Sequence, residues 1–122
     1  MLYAEGREVS KDSKLAVEFL SKAAEQGAVL AQYKLVQMYG KGEDVPKDYV
    51  LCYVWLNLAV ANGDKESENA LVELSPGMTP ESAKRNLDEL KTMLTREQMT
   101  KAQELIRIYA ERIKSAKGKS VR

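Results

Sequence analysis

Residues 38–63 read MYGKGEDVPKDYVLCYVWLNLAVANG, and they repeat residues 2–27, LYAEGREVSKDSKLAVEFLSKAAEQG, without a gap. Tyr3 recurs as Tyr39, an interval of 36 residues (39 − 3), and the same interval carries Gly6 to Gly42, Val9 to Val45, Lys11 to Lys47 and Asp12 to Asp48. It continues through Leu20 and Leu56, Ala23 and Ala59, and Gly27 and Gly63, with Leu2/Met38, Ala16/Cys52 and Phe19/Trp55 as conservative matches. A period of this length marks one supersecondary unit stacked on a copy of itself. One such unit cannot bury its apolar face alone, so the fold grows by stacking and displays a long surface, which favours binding over chemistry.

Within the repeat the apolar spacing is helical. Leu15 or Ala16, Phe19, Leu20, Ala23 and Ala24 form the stripe of a helix from about Asp12 to Gln26, and Cys52, Trp55, Leu56 and Ala59 repeat it from about Asp48 to Asn62. A third helix, from about Val29 to Tyr39, carries Ala31, Leu35, Met38 and Tyr39 on one side. Gly27 and Gly63 follow helices and are expected to close them in the left-handed conformation. Asp12 and Asp48 are candidate N-caps. Past Gly63 the repeat fades. A helix from about Lys65 to Leu74 is expected, then a break at Ser75-Pro76-Gly77. Thr79-Pro80-Glu81 reads as a new helix start, and Thr95-Arg96-Glu97-Gln98 as a capping box. The chain reads as all α.

Composition narrows the function. The chain has 122 residues, 44% hydrophobic and 30% charged, with a formal net charge of +1. It has no histidine and one cysteine, Cys52, so histidine catalysis, histidine metal ligands and intrachain disulfides are excluded. No P-loop or glycine fingerprint occurs. Catalytic, cofactor and metal residues are therefore all expected to be none. No run of apolar residues is long enough to span a membrane. The default compartment is the cytoplasm, or the periplasm or exterior if a leader is missing from this piece of sequence.

The pattern Ala31-Gln32-Tyr33-Lys34-Leu35, Tyr39, Gly40, Gly42, Val45, Asp48, Trp55-Leu56, Ala59 and Gly63 resembles the Sel-one-like repeat, a relative of the tetratricopeptide repeat with a slightly longer unit. The resemblance is strong from Leu2 to Gly63, and Ser82 to Leu105 is similar to the way such arrays end. Val36 and Val60 depart from it, standing where the family usually has glycine and alanine. The paired cysteines of some exported members are absent. The resemblance implies a short right-handed superhelix of helix pairs and a concave adaptor surface for proteins or peptides.

The expected organisation is one domain over 1–122. It comprises an incomplete first repeat at 1–27, a second repeat at 28–63, an insertion at 64–79, C-terminal capping helices at 80–116 and a basic tail at 117–122. The chain starts where the first helix of unit one should be nearly finished, so its N-terminal end is expected to expose apolar surface suited to docking or self-association. Phe19 and Trp55 are expected to fill equivalent interior niches, and Cys52 to be an inert buried sulfur. Tyr33 and Gln37, four apart on one helix, are the candidate partner-binding stripe, with Tyr53 as a further member. The expected function is a noncatalytic protein-interaction module. The alternatives are a hydrolase or enzyme-regulatory subunit, and a polyanion or membrane binder using the basic Arg112, Lys114, Lys117, Lys119 and Arg122. The blander reading of that tail is fraying beyond Ser115, with no nucleic-acid partner.

Overall fold

Val17, Leu20, Ala23 and Ala24 turn one side of the first helix, α1 (Lys11–Glu25), toward the interior. A computed structural model of the chain describes residues 11–42, 45–63, 68–69 and 79–120. After α1 come α2 (Val29–Lys41), α3 (Tyr49–Asn62), α4 (Pro80–Met93) and α5 (Arg96–Ser120), with no strand among the described residues. The architecture is an all-α solenoid of helix pairs closed by C-terminal helices. The expected helix at 65–74, the break at 75–77 and every pairing to residues 2–9 lie outside the described residues.

The helix ends follow local chemistry. Gly27 has φ 99°. Ala28 N–H donates to Ala23 O and Gly27 N–H to Ala24 O, both at 3.0 Å, which is the Schellman pair of bonds. Gly42, with φ 75°, closes α2 by donating to Met38 O at 2.9 Å. Gly63 does not follow suit. Its φ is −67° and ψ 141°, and the end of α3 is met instead by the Asn62 amide donating to Leu58 O at 2.7 Å. Asp48 caps α3, accepting from Leu51 N–H at 3.1 Å. Asp12 is not a cap, because α1 already begins at Lys11 and places it in the first turn. Thr79 N–H donates to Ser82 Oγ at 2.9 Å and Ser82 N–H to Thr79 Oγ1 at 3.1 Å, while Thr95 N–H donates to Gln98 Oε1 at 3.0 Å and Gln98 N–H to Thr95 Oγ1 at 3.1 Å.

These ends give a clean contrast. Gly27→Ala should cost about 1–2 kcal/mol, because an L side chain strains a left-handed residue. Gly63→Ala should cost less, since its backbone suits any residue. Thermal unfolding of the two variants checks the order.

The core is centred on α2 and α3. Leu35, Val54, Leu56 and Ala59 are fully buried, and Trp55 nearly so. α3 is apolar around its circumference, so it needs neighbours on every side. It packs on α2, α4 and α5, with Ala83 of α4 and Ala102 of α5 fully buried. α5, about 37 Å long at 1.5 Å per residue, spans both units. Its Tyr109 ring stacks on Trp55 of α3 (centroids 4.7 Å apart, planes 22° apart). Its Arg112 lies over Tyr109 at 5.4 Å and pairs with Glu25 of α1 at 3.1 Å. Ile113 is buried against the Gly27 turn, and the Lys117 stem lies over that glycine. These contacts tie the helix down as far as Lys117, and it runs on to Ser120, past the expected end at Ser115.

The two units differ where the repeat predicts equivalence. Trp55 is 2% exposed, whereas Phe19 is 71% exposed. α2 and α5 close over the Trp55 side of α3. Among the described helices, α1 packs chiefly on α2 and on α5, using Val17, Leu20 and Ala24. That packing rotates Phe19 and Leu15 outward, and no described residue covers them.

Candidate interaction surfaces

The expected binding stripe is not an open surface. Tyr33 and Tyr53 are 5% and 4% exposed, and Gln37 is half-buried and engaged within the fold. Burial, reinforced by the nearby Glu68 carboxylate, raises the Tyr33 phenol above its ordinary pKa. Tyr53 is interior because α3 has no polar side to turn outward. Neither ring is presented to a partner in this structure.

Cys52 is a core group, as expected. Its Sγ donates to Val36 O at 3.6 Å and approaches Gly40, whose missing side chain leaves it room. Burial, with Asp48 adding to it, pushes the thiol from 9.0 up to about 11. The sign follows from which state holds the proton. Between pH 9 and 11 the unfolded chain loses the thiol proton while the folded chain keeps it, so stability present below pH 9 is lost as pH rises toward 11. The urea midpoint should fall over that window and fall less in Cys52→Ala. The phenols of Tyr33, Tyr39 and Tyr109, also raised by burial, leave part of the slope in place.

Gln32, a polar residue with no apolar spacing to mark it, is fully buried. Its Nε2 donates to Ala24 O at 3.0 Å, joining α2 to the end of α1, and its Oε1 has no partner among the described residues.

The surface itself offers two features. One is an open depression along α5, lined by Arg96, Glu97, Thr100, Lys101 and Glu104. These residues alternate in sign along one helix face, and no carboxylate pair converges there. The described residues contain no group of His, Cys, Asp and Glu able to hold a metal ion, and no described helix is long and apolar enough to cross a membrane. The other feature is the outer face of α1. There Leu15 (50% exposed), Ala16 and Phe19 form a continuous apolar patch between exposed charges. The heptad-like 13-17-20-24 spacing of α1's inward side could have revealed it, because that spacing leaves 15 and 19 on the far side.

The Sel1 repeat family model matches residues 1–27 and 29–64, two consecutive copies over more than half of the chain. The chain belongs to the Sel1 repeat family. Sel1 repeats are all-α units that generally mediate protein–protein interaction and are typically noncatalytic. Among curated proteins, the chain is similar to the alginate biosynthesis protein AlgK of Azotobacter vinelandii, 37% identical over 65 residues. That stretch is 53% of this chain and 14% of AlgK, so the chain spans a small part of that relative's length. No solved structure matches the chain.

Proposed function

We propose that this Sel1-repeat chain is a noncatalytic adaptor that engages a protein partner through the outer face of α1. The supporting observation is Phe19. A large aromatic ring 71% exposed, beside Leu15 and Ala16, is an apolar patch that solvent disfavours and a partner would cover. In the second unit the equivalent ring is core. The same repeat position is thus covered in one unit and exposed in the other. A hydrolytic reading draws no support from the alternating charges along α5. The polyanion reading is weakened where Arg112 already pairs with Glu25 and the Lys117 stem lies over Gly27.

A photo-crosslinking residue placed at position 19 of the full chain tests this reading, with position 101 on α5 as the control. In lysate of the source cell, position 19 should form crosslinks to protein that Leu15→Asp abolishes. Crosslinks no stronger at 19 than at 101 would remove the α1 face from consideration.

A further inference from the structure

The charges flanking the patch specify what covers it. Asp12, Leu15, Phe19 and Lys22 form one outward stripe on α1, with the 3-4-3 spacing of helix seams, and all four are exposed. The stripe is symmetric in position about residue 17. Leu15 and Phe19 lie two residues to either side (17 − 15, 19 − 17), and Asp12 and Lys22 five (17 − 12, 22 − 17). It is antisymmetric in charge, with an acid at one end and a base at the other. Neither charge takes part in an ion pair among the described residues.

We propose that the outer face of α1 is closed by α1 of a second copy of this chain, running antiparallel about a two-fold axis at residue 17. This rests on the reading of that face as an interaction surface and names its occupant. In such an isologous pairing every position meets its mirror position. Leu15 then packs on Phe19 of the other copy, and Asp12 meets Lys22, each contact formed twice. A parallel pairing would instead set Asp12 against Asp12 and Lys22 against Lys22.

The second unit argues against a cover of the kind α3 receives. Lys22 stands one repeat before Leu58 (58 − 22 = 36), which is 3% exposed. An apolar cover would bury the Lys22 ammonium without a counter-charge, at a large cost. The occupant must bring a carboxylate to Lys22 and a cation to Asp12, and a second α1 brings both. A single helix pair covers less than the standard interface of about 800 Å² per partner, so the pairing belongs with the small, weaker interfaces.

Sedimentation equilibrium of the full chain, from low micromolar to near-millimolar concentration, tests the proposal. The wild type should pass from monomer to dimer, and Phe19→Asp should stay monomeric. Asp12→Lys and Lys22→Asp should each weaken self-association about tenfold or more, because two attractions become two repulsions. An equimolar mixture of those two variants should associate at near wild-type strength, since each supplies the charges the other lacks. Nonspecific apolar adhesion would not give that rescue. All these side chains are exposed, so circular dichroism should show unchanged helix content. A wild type that remains monomeric throughout, or a mixture no stronger than its components, overturns the antiparallel dimer. If crosslinks from position 19 to a different protein persist in that case, the interaction reading survives and only the second copy is ruled out.

Discussion

Trp55→Ala should lower stability by about 3–5 kcal/mol, the cost of deleting a buried aromatic ring, whereas Phe19→Ala should change it by less than about 0.5 kcal/mol. The two rings occupy the same position in consecutive repeats. What separates them is cover. Trp55 is 2% exposed and stacked on Tyr109 of α5, while Phe19 is 71% exposed. A domain of this size has about 5–15 kcal/mol in all, so the Trp55 variant loses a large part of its margin. Tyr109→Ala should be destabilising too, and a double-mutant cycle between the two should return a coupling of about 1 kcal/mol, as for other stacked aromatic pairs. Urea unfolding of the dilute chain followed by circular dichroism measures all of these. Equal costs for the Trp55 and Phe19 variants would contradict the structure.

Gln32→Glu should be comparably damaging, by about 3–5 kcal/mol at neutral pH. The native amide is fully buried and donates to Ala24 O at 3.0 Å. A carboxylate there is a buried charge facing an acceptor, with nothing to donate. The introduced group's pKa is raised in the folded state, so its stability is present at low pH and lost as pH rises. The gap to wild type should accordingly narrow as pH falls toward about 4, where the carboxyl protonates and can donate to Ala24 O. Gln32→Met should be tolerated within about 1 kcal/mol. It keeps the volume and removes Oε1, which has no partner among the described residues. Ala24 O also retains Gly27 N–H at 3.0 Å. The contrast between the two variants, read from urea titrations at several pH values, isolates the hydrogen bond from the packing. A tolerated Gln32→Glu would mean the site is wet.

Legibility in the sequence followed locality. The helices, the Gly27 turn, the Asp48 cap and the Thr79 and Thr95 starts depend on a few neighbouring residues, and each was readable from them. Gly63 misled because the alternative ending, an Asn62 amide on Leu58 O, is an equally local choice that spacing alone does not decide. The burial of the candidate partner-binding residues has a non-local reason. α3 is apolar all round, and in a two-layer solenoid one of its sides would face solvent. Here α4 and α5 fold back over it, and Tyr53 becomes core. The same fold-back, through Tyr109, buries Trp55 and leaves Phe19 without an equivalent cover. Internal repetition specifies which residues are equivalent. It does not specify which copy of a surface finds a neighbour, because that depends on segments outside the repeat.

Hydroxyl-radical footprinting of the dilute full chain, with each residue's oxidation compared with that in the unfolded chain, tests the central claim most directly. Phe19 should oxidise at close to its unfolded rate while Trp55 is strongly protected. Equal protection of the two rings would mean that both units are closed, and that α1 has no open face to offer a partner.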